Sequence, residues 1–282
     1  MKRKRKLLKG SYDLYITNAC NLHCTGCSVL DYGGDYDKKG KITIPYLKLN
    51  DVKDIIENFN RLDLCVEELK VLGGEPTTHK ELREITEYLV ENEDCYTKLT
   101  IVTNGLNFSK NILEILKSYD KIVISVYPQL GNIKRKLYTS GLDLEIKKYS
   151  EVSYWEQNDF YRFNEKYNDL DYDEWSNWNN CYMKTSCLSL SKEGLYRCTI
   201  LMNERSEGVD WSNSDDIINY AHRDEPLNRC KTCYWPAKTD LWSSNKWKTD
   251  LRNFDKGVQI IKTINIYEKD NIDNTTILDR SD

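Results

Sequence analysis

Residues 13–27 read DLYITNACNLHCTGC and combine a strand pattern with three closely spaced cysteines. The opening DLYIT favours a β-strand, and Cys20, Cys24 and Cys27 follow it directly at C-x3-C-x2-C spacing. A closed metal site needs four protein ligands, and no fourth cysteine follows nearby. Three thiolates from one loop can instead hold three irons of a [4Fe–4S] cluster and leave the fourth iron open to a non-protein ligand. On the spacing alone, a zinc site completed by His23 or by a distant residue stays open.

The composition of the chain is that of a globular protein without a large charge imbalance. Its 282 residues suffice for one large α/β domain or for one domain with a smaller appendage. Lys and Arg number 41 against 45 Asp and Glu. This balance argues against a dedicated nucleic-acid-binding protein, because such proteins usually carry a basic surplus.

The N-terminal sequence MKRKRKLLKGSYD indicates a solvated basic tail over residues 1–11. Only Leu7 and Leu8 follow the basic residues, so the apolar core of a signal peptide is missing. No apolar run approaches the roughly 18 residues of a membrane span. We therefore expect a cytoplasmic protein with no membrane partner.

The ten cysteines of the chain are clustered, which favours metal binding over disulfides when no secretion signal is present. Three of them lie at 20–27 and five at 181–233, whereas Cys65 and Cys95 stand alone. We expect the two isolated cysteines to serve as small packing side chains.

Short apolar runs alternate with amphipathic stretches after the cysteine loop. Strands are predicted at 68–74, 98–105, 121–128 and near 143–148, and helices at 50–62, behind a Thr78/Glu81 capping box, behind Ser109 and near 131–139. Alternation of this kind implies parallel strands with right-handed crossovers. Five or six strand–helix units fit, too few for a closed eightfold barrel. The predicted fold class is therefore α/β, a partial (β/α)5–6 barrel over residues 12–150 with a small domain after it.

Polar or glycine-rich segments follow the predicted strands. Gly73–Glu75, Thr103–Asn104 and Ser125–Tyr127 come at strand ends, as the cysteine loop does. The carboxyl ends of parallel strands share one edge, where barrel enzymes place their active sites. The sequence therefore predicts that these segments lie on one rim.

The chain changes character after residue 150. The expected divisions are an aromatic and acidic linker or last barrel unit at 151–180, an auxiliary domain at 181–240 and a C-terminal extension at 241–282. The segment CLSLSKEGLYRC predicts a β-hairpin that turns at Glu193–Gly194 and sets Cys187 roughly opposite Cys198. A C-x2-C pair follows at 230–233.

Five cysteines are candidate metal ligands in this auxiliary domain. They are Cys181, Cys187, Cys198, Cys230 and Cys233. A zinc ribbon is the simplest interpretation of such a set.

Four motifs in register resemble the radical S-adenosylmethionine (SAM) superfamily. They are the C-x3-C-x2-C loop, LGGEPTTH after the second strand, TNG after the third and ISVYP after the fourth. The resemblance spans roughly residues 12–150 and favours iron over zinc. It implies that Cys20, Cys24 and Cys27 ligate a [4Fe–4S] cluster whose open iron is chelated by SAM.

The resemblance also implies a set of residues that bind SAM. They are Gly73, Gly74, Glu75, Pro76, Thr103, Asn104 and Ser125. The GGE segment would receive the SAM amino group, Pro76 would fix the turn, and the three polar side chains after the next strands would contact the ribose and carboxylate. Gly26 stands where the superfamily often has an aromatic residue near the adenine, and what covers the adenine stays open.

The second cysteine group resembles a twitch domain, a shortened SPASM domain that holds one auxiliary [4Fe–4S] cluster. Cys198, Cys230 and Cys233 are the expected ligands. Either Cys181 or Cys187 would complete the set.

The resemblance implies that the chain cleaves SAM reductively, with an electron from a reductant such as flavodoxin or ferredoxin. The resulting 5′-deoxyadenosyl radical would take a hydrogen atom from a small, carbohydrate-like substrate. We expect a two-electron oxidation assisted by the auxiliary cluster, with radical epimerisation through a cysteine hydrogen donor as the alternative.

Three further interpretations stay open. A peptide substrate would need a separate carrier or leader-binding protein, because 19 residues precede Cys20 and we expect no leader-binding domain there. A nucleic-acid substrate would use the basic KRKRK run and the aromatic side chains. A non-catalytic iron–sulfur or zinc adaptor would have no need of Glu75.

Overall fold

The structure is a computed structural model that describes residues 5–22, 35–36, 42–43, 47–127, 133–156, 173–184, 188–198 and 207–232. The strands in these ranges are β1 (Lys6–Thr17), β2 (Asp35–Tyr36), β3 (Ile42–Thr43), β4 (Leu64–Gly73), β5 (Tyr96–Thr103), β6 (Lys121–Val126), β7 (Glu151–Glu156), β8 (Leu188–Leu190), β9 (Gly194–Tyr196) and β10 (Val209–Asp210). The helices are α1 (Leu49–Leu62), α2 (Leu82–Glu91), α3 (Lys110–Leu116), α4 (Ile133–Thr139), α5 (Leu142–Lys147), α6 (Glu174–Asn180) and α7 (Ser214–His222).

Eight strands form one mixed sheet in the order β10-β9-β8-β1-β4-β5-β6-β7. Strands β1, β4, β5, β6 and β7 pair in parallel, and helices lie in their connections. The sheet ends at β10 on one side and at β7 on the other, so it does not close. This arrangement confirms the predicted α/β partial barrel.

The predicted hairpin is also confirmed, and it extends the barrel sheet. Strands β8 and β9 are antiparallel, with Ser189 opposite Tyr196. Strand β8 in turn runs parallel to β1, with Leu188 opposite Tyr12. The first and second cysteine groups are therefore tied to one sheet through neighbouring strands.

Amphipathic helices cover the sheet with the faces that their spacing predicts. The buried faces consist of Val52, Ile55, Ile56 and Phe59 in α1 and of Leu82, Ile85 and Leu89 in α2. Each fully buried large apolar side chain contributes about 1.5–3 kcal/mol. These contacts hold α1 and α2 against the strands whose ends carry the site.

Strand β1 begins earlier than the sequence predicts. It starts at Lys6, so residues 6–11 of the expected basic tail lie in the sheet. Leu8 is fully buried, and Arg5 donates to Asp94 and, through Nη2, to Oδ1 of Asn60 at 2.7 Å. The tail interpretation was wrong here because strand alternation turns Leu8 inward between exposed basic residues.

The strand predicted near 143–148 is a helix, α5, and the next strand is β7. The segment LDLEIK alternates like a strand, but Leu142 and Ile146 are one helical turn apart and both are buried. Gly141 precedes the helix in the left-handed region, at φ 76°. A glycine turn and a buried helical face therefore outweigh the local alternation.

Two predicted helix caps had different outcomes. Ser109 caps α3, because its Oγ accepts from the Ile112 N–H at 3.4 Å. The Thr78/Glu81 capping box is wrong, since Glu81 makes no side-chain cap bond and the Thr78 hydroxyl donates to the Glu75 carbonyl at 2.8 Å. Thr78 instead closes a short 3-10 turn, Pro76–Thr78.

No helix among the described residues is both long enough and apolar enough to span a membrane.

Candidate active site

The end of β4 packs directly against the backbone that leads into Cys20. The Gly74 N–H donates to the Thr17 carbonyl at 2.6 Å, and the Glu75 N–H donates to the Ala19 carbonyl at 2.8 Å. A Cβ on Gly74 would overlap the carbonyl oxygens of residues 18 and 19, and a Cβ on Gly73 would overlap that of Thr17. The glycine pair therefore permits close contact between two strand ends.

Glu75 is fully buried, and its carboxylate binds donors of its own chain. Oε1 accepts from the Thr77 N–H at 3.0 Å, the Thr77 hydroxyl at 2.5 Å and the Thr103 hydroxyl at 2.7 Å. Oε2 accepts from the Asn104 N–H at 2.7 Å. Burial raises the pKa of Glu75, and the donors from Asn104, Thr77 and Thr103 oppose that rise. The side chain thus joins the ends of β4 and β5, and its binding to an ammonium group stays a prediction.

Asn104 is held in one orientation at the end of β5. Its Oδ1 accepts from the Leu106 N–H at 3.0 Å, so its amide nitrogen faces the opposite way. Nδ2 donates to Oδ1 of Asn21 at 2.6 Å and lies 3.9 Å from Sγ of Cys20. The structure therefore directs this amide toward the cysteine loop.

Cys20 is half-buried among hydrogen-bond donors. The Leu22 N–H lies 3.3 Å from its Sγ, and the Asn104 amide adds a second donor. Donors around a sulfur favour the thiolate, which is the form that ligates metal. The described part of this site therefore fits an iron–sulfur ligand at Cys20, while Cys24 and Cys27 lie outside the described residues.

Asn21 is a site residue that the sequence reasoning missed. Its side chain is 5% exposed, and Nδ2 is buried without a hydrogen-bond partner in the described part of the chain. The only sequence signal is its place directly after the first cysteine of the motif.

The other expected SAM-binding residues lie at the same end of the sheet. Pro76 is buried at the start of the 3-10 turn, and Ser125 is buried near the end of β6. His79 follows the turn, where Nε2 donates to the Leu47 carbonyl at 3.0 Å and Nδ1 accepts from the Glu81 N–H at 3.0 Å. Burial lowers the pKa of His79, so the neutral ring braces the turn.

The second cysteine group is described at three positions: Cys181, Cys198 and Cys230. Cys198 and Cys230 both pack against Tyr196 and Leu227. The Asn177 amide donates to the Cys230 carbonyl at 2.7 Å and so joins α6, which ends at Cys181, to the turn that carries Cys230.

The Cys181 thiol acts electrostatically on the Cys230 thiol. Burial raises the pKa of Cys230, and the nearby Cys181 thiol raises it further. Within the described ranges, no three His, Cys, Asp or Glu side chains are arranged as a metal site. Cys187 and Cys233 lie outside those ranges, so the pairing of Cys187 with Cys198 stays a prediction.

Arg197 places a buried guanidinium beside these cysteines. The residue is 2% exposed, and its guanidinium lies 4.4 Å from the Trp178 ring centre. Nη2 donates to the Arg223 carbonyl, but Nε and Nη1 are buried without a partner among the described residues. Burial lowers the pKa of Arg197. A nearby anion would stabilise this buried guanidinium, because two of its nitrogens have no acceptor among the described residues.

Comparison with known proteins agrees with the site in the first half of the chain. Residues 14–148 match the family model described as the Radical SAM superfamily. A GTP 3′,8-cyclase of Pasteurella multocida (strain Pm70) is 27% identical over 99 residues, which are 35% of this chain and 27% of that protein. A 7,8-dihydro-6-hydroxymethylpterin dimethyltransferase of Methanocaldococcus jannaschii is 28% identical over 123 residues, 44% of this chain and 22% of that protein. The chain thus spans about a quarter of the length of these curated relatives.

A solved structure, BtrN in complex with AdoMet and 2-DOIA, is 16% identical and covers 77% of this chain and 83% of its own. Its TM-score is 0.48, and at that value it supports no inference about this chain.

Proposed function

We propose, from the match of residues 14–148 to the Radical SAM superfamily model, that the chain is an enzyme that cleaves SAM reductively and removes a hydrogen atom from a substrate. Cys20, Cys24 and Cys27 would hold a [4Fe–4S] cluster, and SAM would occupy its open iron. When bound, these groups supply one-electron cleavage of SAM to methionine and a 5′-deoxyadenosyl radical.

The observation that carries the proposal is the contact network from Glu75 through Asn104 to Cys20. The Glu75 carboxylate holds the Asn104 backbone, and the Asn104 amide reaches the first cysteine of the motif. This network joins the ends of β1, β4 and β5 at one edge of the sheet. It supports a role for the chain's own residues in orienting the cysteine loop and in excluding water from its base.

The Gly73–Pro76 segment is proposed to receive the SAM amino group through a strand-end carbonyl and the Glu75 carboxylate, which the Asn104 and Thr103 donors hold at the ends of β4 and β5. Ser125 and the Thr103–Asn104 segment would border the ribose and carboxylate. The position of these residues at the same end of the sheet supports both assignments.

The second cysteine group is proposed to hold an auxiliary [4Fe–4S] cluster. The buried Arg197 supports an anionic centre here, since thiolates would stabilise a guanidinium whose Nε and Nη1 have no acceptor among the described residues. The electrostatic influence of Cys181 on the Cys230 thiol, and the Asn177 bond that joins α6 to the Cys230 backbone, favour Cys181 as a ligand alongside Cys198, Cys230 and Cys233. Cys187 would then be the surplus thiol.

The proposed net reaction is a two-electron oxidation of a small, carbohydrate-like molecule. The auxiliary cluster would accept the second electron, and a protein such as flavodoxin or ferredoxin would supply the first. Epimerisation with Cys187 as hydrogen donor is the alternative. Solvent deuterium at the reacting carbon would favour epimerisation, and its absence would favour oxidation.

The proposal is tested by SAM cleavage in the anaerobically reconstituted chain. With dithionite as reductant, we expect 5′-deoxyadenosine and methionine from the unmodified chain and from Cys65→Ala, a control at the opposite end of the sheet. We expect neither product from Cys20→Ala. SAM cleavage that survives in Cys20→Ala, or that is absent from a cluster-loaded unmodified chain, would contradict the proposal.

A further inference from the structure

The amide pair formed by Asn21 and Asn104 lies beside the first cysteine and has a use beyond the proposed SAM contacts. Hydrogen bonds fix both the backbone and the side chain of Asn104. Its backbone N–H donates to Glu75 Oε2 at 2.7 Å, and its side-chain Oδ1 accepts from the Leu106 N–H at 3.0 Å. The side chain therefore cannot turn its carbonyl oxygen toward Cys20 without breaking a buried hydrogen bond. The amide nitrogen is the atom that faces the cysteine.

The two hydrogens of this nitrogen have two acceptors. Oδ1 of Asn21 lies 2.6 Å from Asn104 Nδ2, and Sγ of Cys20 lies 3.9 Å from it. The side-chain oxygen of Asn21, Oδ1, thus accepts a hydrogen bond from Asn104. The side-chain nitrogen of Asn21, Nδ2, is a further donor.

That second donor has no partner in the part of the chain that the structure describes. Asn21 is 5% exposed, so water does not readily satisfy it. A buried polar group without a partner is unfavourable and rare in folded proteins. Cysteine sulfurs and inorganic sulfides of a cluster on Cys20 are acceptors of the required kind.

We propose that Asn104 and Asn21 are positioning residues that donate hydrogen bonds to the sulfurs of a cluster on Cys20 and thereby raise its reduction potential. The inference rests on the proposed function, because it needs the cluster. Hydrogen bonds to the sulfurs stabilise the more negative, reduced cluster. Glu75 anchors the pair through the Asn104 backbone.

The test is a redox titration of the reconstituted full-length chain, followed by electron paramagnetic resonance. The cluster signal that changes when SAM is added identifies the cluster on Cys20. Asn104→Asp keeps the shape of the side chain but removes its donors and adds a negative charge. We expect the ratio of reduced to oxidised cluster at a fixed potential to fall about tenfold, which is about 59 mV for one electron.

Asn107→Asp is the matched control. Asn107 lies on the same loop, is half-buried and donates to the Thr77 carbonyl at 2.9 Å, without a contact to Cys20. It adds the same charge, and we expect a much smaller change in the ratio. Asn104→Ala removes the donors without adding charge, and we expect a shift in the same direction as Asn104→Asp.

Unchanged potentials in both Asn104 variants, or an equal shift in Asn107→Asp, would overturn the inference. If Asn104→Asp takes up no cluster, the Asn104→Ala titration decides. If the unmodified chain shows no SAM-sensitive cluster, the proposed function itself fails. If the cluster is present but its potential is the same in the Asn104 variants, only this inference fails.

Discussion

The buried charges of the two cysteine regions differ in their partners. Near Cys20, the Glu75 carboxylate is fully buried and accepts hydrogen bonds from Thr77, Thr103 and Asn104. Near Cys198, the Arg197 guanidinium is nearly as buried, yet Nε and Nη1 have no partner within the described ranges.

The difference indicates that the Glu75 region is a framework held together by its own hydrogen bonds, whereas the Arg197 region is built to bind an anion. Around Glu75 the protein supplies both the charge and its donors, so the ends of β1, β4 and β5 hold together before any ligand binds. Around Arg197 the described chain supplies two aromatic rings, Trp178 and Tyr220, and the electrostatic attraction of Asp224, but no hydrogen-bond acceptor for Nε and Nη1. The second region is therefore expected to gain stability from an anionic metal centre, whereas the first mainly positions one.

The largest expected effect comes from breaking the framework at Gly74. Gly74→Ala should lower the free energy of unfolding by about 3 kcal/mol, because the new Cβ overlaps backbone carbonyls at residues 18 and 19. Urea unfolding of the metal-free chain measures the change.

Gly141→Ala is the control for that variant. Gly141 has a φ of 76° but open space where a Cβ would lie, so we expect a loss of about 1 kcal/mol from backbone strain alone. An equal loss in the two variants would mean that the close approach of the two strand ends is unimportant.

Glu75→Gln should lower the free energy of unfolding by roughly 2–3 kcal/mol. The new side-chain NH2 group of the glutamine would face a hydrogen-bond donor, such as the Thr103 hydroxyl or the Asn104 N–H, that now donates to the carboxylate. That buried donor would lose its acceptor. Calorimetry and urea unfolding report the loss. Glu57→Gln, on the exposed side of α1, should change stability by less than about 0.5 kcal/mol.

The pH dependence of the stability difference between the wild type and Glu75→Gln sharpens the test. Burial raises the pKa of Glu75 in the folded chain above its unfolded value of about 4.3. The folded state then binds the proton more tightly, so wild-type stability falls as pH rises from the unfolded pKa through the folded pKa. The advantage of the wild type over Glu75→Gln should shrink over that window. An advantage that grows with pH would show that the carboxylate is held ionised by its donors.

Arg197→Met is expected to have the smallest effect on stability. It should leave the metal-free chain as stable or more stable, but should weaken metal binding in the reconstituted chain. In the metal-free chain we expect stability equal to wild type or up to about 2 kcal/mol higher, because an apolar side chain replaces a buried charge whose Nε and Nη1 have no acceptor among the described residues. In the reconstituted chain we expect the second centre to bind iron about tenfold more weakly. Parallel unfolding and chelator-competition measurements separate the two states.

Arg83→Met is the matched control, since Arg83 is exposed on α2 and pairs with Glu87 at the surface. It should leave both quantities unchanged. If the metal-free Arg197→Met chain is strongly destabilised, Arg197 stabilises the fold without a metal centre, as Glu75 does, and the proposed contrast between the two regions is wrong.

The sequence predicted the elements that local patterns encode. The apolar face of α1, the Ser109 cap and the β8–β9 hairpin are examples, because each depends on residues a few positions apart. Alternation misled near 143–148, where Gly141 and the buried face of α5 decide the structure.

The pairing of buried groups could not be predicted in this way. Asn104 meets Asn21 across 83 positions, and the hydrogen bond appears only when two strand ends are brought together. The position of Arg197 in the sequence predicts a hairpin residue, whereas its burial against Trp178 and its two unbonded nitrogens within the described ranges appear only in the fold. Such contacts depend on tertiary packing.

Iron and zinc content after anaerobic reconstitution tests the central claim, two separate centres, most directly. We expect about eight irons per chain in the wild type, as two [4Fe–4S] clusters require, with no zinc. Replacing Cys20, Cys24 and Cys27 with alanine should leave about four irons, and so should replacing Cys198 and Cys230 with serine. Zinc without iron, or the loss of all iron from either variant, would contradict the account.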